Sequence, residues 1–352
     1  MKKGIFYILA CMLIIATLLT PLVISTTTNT PLRNGNILYV GGSGPGNYST
    51  IQAAIDAALA KDTVFVYDDS SPYYEHLIIN KSIQLCGSNW KNTIINGEDN
   101  RIVILVTRIN VTISNFTITG DGPSNHLIQV QNCTNVSITH NFFTSKDKQY
   151  GITVFISGIS PLDTGILIQN NSINNTIIGI QLAHSYSHIQ NNLIQNTIEG
   201  IRVYDDSYNI ITKNTLKNCS TGILLLDVNE NKIYYNNFLT CKIAMELEGN
   251  ENIIQWNEFS GCLHYGIFEY TGRQNEIHFN NFMNNNISAF FHWVFPSICI
   301  NHWNENYWDD HHTFFPKIIS GILQFRDSDV SPWYISWMNF DWHPAQDPYD
   351  IS

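Results

Sequence analysis

Charge is scarce in this chain. Only 13% of its 352 residues are Asp, Glu, Lys or Arg, and 18 basic residues stand against 29 acidic ones, a formal net charge of −11. A surface of that sign is a poor partner for nucleic acid. Cysteine is sparse as well: seven are present, one of them, Cys11, in an N-terminal apolar stretch. The other six form no C-x-x-C pair and no zinc spacing, so a zinc ribbon or thioredoxin-like motif is excluded. Disulfides are chemically permitted outside the cell, and the spacing establishes none. Long apolar runs are missing except for one, residues 4–24, which follows Lys2 and Lys3.

What is present points to a folded, β-rich protein. Apolar residues make up 44% of the chain, enough to build a core, and Asn, Ile and Thr are abundant. That balance favours strands and tight turns over surface helices. Lys2 and Lys3 with the apolar run that follows have the form of an export signal. Residues 1–25 therefore read as a cleaved signal or a retained N-terminal membrane anchor, since the run is near the roughly 20 residues that span a bilayer and no A-x-A-like site follows. Ile8-Leu9-Ala10-Cys11 imitates a lipoprotein box, but the apolar run continues past Cys11. Residues 26–36, polar and rich in Thr and Asn, read as a linker. Loss of Lys2 and Lys3 with the signal leaves a formal charge of about −13.

A repeat organises the middle of the chain. Gly179, Gly200, Gly222, Ala244 and Gly266 recur at spacings of 21, 22, 22 and 22 residues. Asn191, Asn214, Asn236, Asn257 and Asn280 recur in step, followed five residues later by Asn196, Cys219, Cys241, Cys262 and Asn285. Each unit holds short apolar or β-branched runs between polar corners, as in "GIRVYDDSYNIITKNTLKN", too short for helices. A period near 22 admits a leucine-rich repeat or a parallel β-helix, and no unit supplies L-x-x-L-x-L-x-x-N. The expected fold is all-β: a right-handed parallel β-helix of about 22 residues per coil, in which each side chain recurs above itself at the strand spacing. Asn amides then stack into columns, and the small residue provides a corner with permissive φ.

Upstream, Ser49 or Thr50 caps an amphipathic run ending near Lys61, a helix that would cover the open end of the stack. "TIQAAIDAA", "DTVFV", a Y-x-E segment and "KSIQLCG" in that order resemble the entrance of the pectin-lyase-like superfamily. "NVTISNFTITG", "TGILIQNNSI" and "TGILLLDVNENKI" resemble NosD-like and carbohydrate-binding, sugar-hydrolase β-helix domains of archaeal and bacterial surface proteins. The resemblance covers roughly residues 37–310 and implies fold more than chemistry. The expected layout is a β-helix with its N-terminal cap over residues 37–290 and an aromatic C-terminal cap over 291–352. Six of the eight Trp residues, Trp293, Trp303, Trp308, Trp333, Trp337 and Trp342, fall in that last segment. A wrap of this kind hides the last coil's strand edge; sugar stacking on exposed Trp faces is the alternative.

Strand alternation places the residues two and four beyond each small residue on the outside. The outward pairs are Gln181 and Ala183, Arg202 and Tyr204, Leu224 and Leu226, Glu246 and Glu248, Phe268 and Tyr270. Asp205 and Asp227 stack at the next corner, with Asp206 beside them. Arg202, Tyr204, Asp205, Asp206, Asp227, Glu246, Glu248 and Tyr270 are thus the expected carbohydrate-binding residues. Two acids in one column have the separation of a retaining glycosidase pair, but the scaffold imposes that separation, and corner Asp residues are ordinarily turn formers. The enzymes of the superfamily imply Ca²⁺-binding Asp clusters with an Arg base, paired Asp residues with Gln and Arg, or three close Asp residues. No such set can be assembled around Arg202, the only Arg between residues 165 and 270. No catalytic residue, metal ligand or cofactor is therefore assigned.

The Cys219, Cys241 and Cys262 column reads as core filler rather than a soft-metal site, because no His or Met shares it. His292, His302, Asp309 to His312 and Asp341 to His343 match no defined metal motif and read as cap residues. Sequons head at Asn47, Asn80, Asn110, Asn115, Asn132, Asn135, Asn170, Asn174, Asn218 and Asn286; Asn115 and Asn218 are expected to be inaccessible. The functional expectation is an exported extracellular or cell-surface protein that binds a polysaccharide or envelope glycan, or builds the envelope, without catalysis. It touches membrane only through an N-terminal anchor. A polysaccharide lyase or glycoside hydrolase on the outward face, and a NosD-like copper-associated protein, are the competing readings.

Overall fold

The computed structural model describes residues 35–98, 102–120, 126–145, 150–155, 165–205, 207–295, 300–327 and 330–351. The signal or anchor, most of the linker and Asp206 lie outside them. Gly35–Ser352 forms one compact unit. It is a parallel β-solenoid of about 11 turns with about 23 residues per turn. Each coil runs through three strands. In one coil these are Ile178–Ala183, His188–Gln190 and Leu193–Gln195, and the next coil begins at Glu199–Tyr204. We call the three stacked faces the long sheet, the middle sheet and the short sheet. Register across coils is regular, with Ile180 opposite Ile201, Ile201 opposite Ile223 and Ile223 opposite Met245.

The interior is built from columns. Ile180, Ile201, Ile223, Met245 and Ile267 fill the long sheet's inner face, fully buried. Phe238, Phe259 and Phe282 stack face to face at 4.9 and 4.8 Å, and Trp308 closes the pile 4.2 Å beyond Phe282. Burying such side chains stabilises by about 1.5–3 kcal/mol each. The small-residue column has a different cause from the expected permissive φ. Gly179, Gly200, Gly222 and Gly266 do not have positive φ. A Cβ on Gly222 would instead sit 2.5 Å from the Ala244 carbonyl oxygen and 2.8 Å from the Phe238 ring. Close approach of coils, not backbone freedom, selects these residues.

Two buried amide ladders tie the corners. Between the middle and short sheets the backbone N–H and the Nδ2 of Asn192, Asn214, Asn236, Asn257 and Asn280 each donate to Oδ1 of the next ladder residue, at 2.9–3.1 Å. Asn192, not Asn191, holds the expected place; Asn191 is one residue too early and occupies the left-handed corner position instead, with φ 55°. The ladder ends at Asp341, whose Oδ2 accepts from the Asn306 N–H at 2.9 Å, from Asn306 Nδ2 at 3.0 Å and from the Trp308 indole at 3.1 Å. A carboxylate suits that end because it accepts without needing a further acceptor. The second ladder runs Asn209, Asn231, Asn252, Asn275 and Asn301 at the corner between the long and middle sheets.

The N-terminal helix is shorter than the sequence suggests. It spans Ile51–Ala57, with Thr50 Oγ1 accepting from the Ala53 N–H. Asp62 stops it by accepting from the Leu59 N–H at 2.7 Å, and Lys61 follows with φ 73°. Glu75 explains the Y-x-E segment: its two carboxylate oxygens accept from the Ile51 and Gln52 N–H groups at 2.8 and 2.9 Å. An acid on free N–H groups at a helix start is the favourable polarity. Tyr73 is buried, with its hydroxyl donating to the Tyr67 carbonyl at 2.7 Å.

The far end departs from a fully buried aromatic cap. Parallel pairing continues through His302–Asn304 and Tyr307–Trp308. Trp293, Trp303 and Trp308 are buried, whereas Trp333, Trp337 and Trp342 are exposed. The exposed ones lie on or just after an antiparallel hairpin, Lys317–Asp327 with Val330–Asp341, that extends the long sheet.

Glu269 breaks the interior rule. It stands three residues beyond Gly266, where an apolar side chain is expected, opposite Leu247 and Phe291. Its carboxyl is fully buried; Oε1 accepts from the Trp293 indole at 2.9 Å and from Asn301 Nδ2, while Oε2 has no hydrogen-bond partner among the described residues. Burial raises its pKa to about 8, against the opposing pull of those two bonds.

Candidate functional site: an outward face and a corner groove

The expected site residues of the long sheet do point outward, each half-buried at most, in alternation with the core columns. They do not form one surface. Arg202 is held by Glu199, with Nη2 2.6 Å from Oε1 and Nε 2.6 Å from Oε2. Tyr204 accepts from Gln181 Nε2 at 3.3 Å and meets the Phe155 ring edge-on. The next coil puts Leu224 opposite both Arg202 and Glu246, and Leu226 opposite Tyr204. Beyond this apolar step, Glu246 accepts from the Thr221 hydroxyl at 3.1 Å, and burial raises its pKa.

Glu248 and Tyr270 were expected in one outward column. The register shifts after Leu247, so Glu248 stands opposite Thr271 and accepts from its hydroxyl at 3.4 Å. Tyr270 is turned toward the His292 ring, 5.3 Å away. Asp205 and Asp227 are exposed corner residues with φ 58° and 53°, the left-handed geometry of turn formers. Asp206 lies outside the described residues. The face therefore splits into an Arg202–Tyr204 cluster and a Glu246–Glu248 cluster, and its acids are taken up by local bonds and turns rather than paired across a substrate position.

A second concavity was not visible in the sequence. It lies at the corner between the middle and short sheets, near the N-terminal half of the solenoid, with a volume of about 360 Å³. Its apolar side is Trp90, 41% exposed, with Phe142 5.9 Å from it and Leu193 farther along. Its polar side is the outer corner column of Asn115, His140, Asn170 and Asn191, all held at left-handed φ. Asn170 Nδ2 lies 3.1 Å from His140 Nε2, and the Trp90 carbonyl accepts from the Thr117 hydroxyl at 2.6 Å, which fixes the loop carrying the indole. Among the described residues no carboxylate or Arg lines the groove, and the Lys91 ammonium lies over the Trp90 ring, 5.5 Å from its centroid. Its signal in the sequence was the pair Phe142-Phe143, of which one ring must point out, but Trp90 comes from an irregular loop two coils earlier.

Sequon accessibility differs from expectation. Asn218 is exposed on its corner and Asn115 is half-buried.

Metal chemistry finds no fitting donor set. Cys219, Cys241 and Cys262 are buried and free. The Thr197 hydroxyl donates to Cys219 Sγ at 3.1 Å, which makes Thr197, not Asn196, the residue in step with the thiols. The Cys219 thiol and burial push the Cys241 pKa up, and burial pushes Cys262 to about 12. Thiolate, the form that binds metal, is thereby disfavoured at Cys241 and Cys262, while the hydrogen bond with the Cys241 thiol lowers the pKa of Cys219. His292 is bonded to Gln324, His311 to the Phe315 carbonyl and His343 to Asn304. Among the described residues no group of three or more His, Cys, Asp or Glu is arranged to hold a metal ion.

The fold has solved counterparts. One is the complex of XylC with xylose, 13% identical, covering 73% of this chain and 74% of that one with a TM-score of 0.51. Others are the catalytic domain of a GH87 α-1,3-glucanase with nigerose, 13% identical over 76% of this chain and 57% of that one with a TM-score of 0.49, and a DFA-IIIase from Arthrobacter chlorophenolicus A6 with DFA-III, 12% identical over 83% and 85% with a TM-score of 0.49. At such identity the XylC likeness is one of fold. No curated protein is significantly similar in sequence. The family model described as periplasmic copper-binding protein (NosD) matches residues 55–258 and 162–313, most of the solenoid, and the chain belongs to the NosD family of parallel β-helix proteins.

Proposed function

We propose that this is an exported, noncatalytic β-helix protein that binds a neutral polysaccharide, and that the corner groove beside Trp90 is its main contact. The observation that carries this reading is an exposed indole and phenyl platform facing a column of corner amides, with no carboxylate or Arg in the lining and Lys91 at the edge over the indole. Sugar rings offer an apolar C–H face and a rim of hydroxyls. Aromatic faces suit the first, and amides that both donate and accept suit the second. The Lys2-Lys3 apolar leader and the family's periplasmic description support export. The xylose bound to the structurally similar XylC agrees with a glycan-binding scaffold. The outward clusters of Arg202 with Tyr204 and of Glu246 with Glu248 stand on the long sheet, a different face from the groove, and serve as a separate second contact.

The test is to titrate Gly35–Ser352 with neutral and acidic plant, microbial and envelope polysaccharides by calorimetry while assaying new chain ends. Expected are binding to a neutral glycan, no new ends, and a loss of about tenfold or more in affinity in Trp90→Ala, from one ring contact worth about 1.5 kcal/mol. New ends that vanish in Asp205→Asn with Asp227→Asn would replace binding by hydrolysis. Retention unaffected by Trp90→Ala and Phe142→Ala would remove the groove.

A further inference from the structure

Among the described residues the last strand of the solenoid, Val330–Asp341, is a long edge strand without a neighbour along most of one side. It pairs antiparallel with Lys317–Asp327, and its other edge meets the body only where Asp341 stands opposite Trp303. Between Trp333 and Asn339 alternate N–H and C=O groups point outward, a template for another strand; Pro332 offers no N–H, and the Phe340 N–H is already bonded to Asn339 Oδ1 at 2.9 Å. Both of its faces are half-exposed among the described residues, although Trp333 stacks on Phe325 at 4.2 Å and Tyr334 lies 6.2 Å from the His292 ring. Trp333, Tyr334, Ile335, Trp337 and Met338 are 40–55% exposed, and Trp342 just beyond is 60% exposed. No charged residue occurs between residues 330 and 340.

From this geometry we infer that the edge strand is a self-association surface at which two copies of the chain join, strand to strand, about a two-fold axis. Four features select a second copy. The unpaired main-chain groups call for a strand, and lipid offers none of the required donors and acceptors. Both open faces are apolar, so the partner must present apolar residues on both faces of its own strand, as an identical ribbon does. The chain carries a net charge of −11, and an uncharged edge is where two such molecules approach with least repulsion. The six half-exposed side chains leave on the order of 600 Å² of surface, at the upper end of what a monomer displays. With the strand's own main chain this approaches the roughly 800 Å² per partner of a stable interface. An antiparallel pairing of two identical strands is related to itself by a two-fold axis through the strand centre, near Ile335 and Ser336, so the contact closes as a dimer and does not propagate.

Gly35–Ser352, which has its own complete core, is examined by sedimentation velocity over a concentration series. The expected result is a concentration-dependent monomer–dimer equilibrium. Ile335→Lys with Met338→Lys puts a charge on each face of the edge and should give monomer at every concentration, with an unchanged melting temperature. Ser336→Cys, which leaves the apolar edge intact, should give a disulfide-linked dimer on mild oxidation where the parent chain gives none. A parent that stays monomeric throughout overturns the inference, as does a dimer indifferent to the two lysines. A monomer that instead pelts down with lipid vesicles assigns the patch to a membrane and overturns it equally.

Discussion

Replacing Glu269 by Gln should change how stability depends on pH more than it changes stability itself. The carboxyl is fully buried, and its pKa is raised from 4.5 to about 8. Between those values the folded chain keeps a proton that the unfolded chain releases, so stability falls as pH rises from about 4.5 and levels off above about 8. At about 1.4 kcal/mol per pH unit the loss is about 5 kcal/mol over the window, comparable with the whole stability of many domains. Gln keeps an oxygen for the Trp293 and Asn301 donors but does not ionise. Its amide adds donors without acceptors, a cost of about 1–3 kcal/mol. The variant should therefore be the weaker protein near pH 4.5 and the stronger one above pH 8, where the parent holds a buried charge. Denaturant unfolding of both proteins at several pH values, followed at the Trp residues of the last coils, measures the crossing. Parallel stability curves from pH 5 to pH 9 would refute the assignment of this carboxyl as the source of the dependence.

Other positions give independent checks. Asn236→Ala removes the acceptor for both donors of Asn214 and the amide that bonds Ile211, and should cost about 3 kcal/mol or more in chemical denaturation. Gly222→Val should destabilise by more than 2 kcal/mol, since its Cβ would lie 2.5 Å from a backbone oxygen of the next coil; a neutral result would show that the coils can separate. Cys241 and Cys262 replaced by Val should each cost under about 1.5 kcal/mol if they are core filler, and Cys219→Val should add about 1–3 kcal/mol because the buried Thr197 hydroxyl loses its acceptor. The native thiols should react with a thiol reagent only on unfolding, whereas bound copper that survives dialysis and is lost in the triple variant would reverse that reading. Glu75→Gln should fray the first helix by about 1 kcal/mol, because it removes the charge that serves the Ile51 and Gln52 N–H groups.

The period of the sequence determined the fold. A side chain that must recur every 22 residues as Asn, as a small residue or as an inward Ile can satisfy that rule only by stacking on itself, and the coils do so in register. The Asn ladder, the inward Ile and Phe columns, the capped helix at Thr50 and the outward place of Arg202, Tyr204, Glu246 and Glu248 were all legible because they are properties of one strand and its period. What lay beyond was set by neighbours that the period does not encode. Asn192 replaced Asn191 because one coil is a residue shorter, and counting alone could not say which amide faces inward. Gly222 is small because of an oxygen in the next coil. The register shift at Leu247 separated Glu248 from Tyr270, and an interior Glu269 was tolerated because Trp293 and Asn301, distant in sequence, supply its donors. The groove needed Trp90 from an irregular loop to meet Phe142, and the aromatic strand Val330–Asp341 stays half-exposed because no coil among the described residues pairs with most of its outer edge. Local pattern decides which way a side chain points; only the packed coils decide what it meets there.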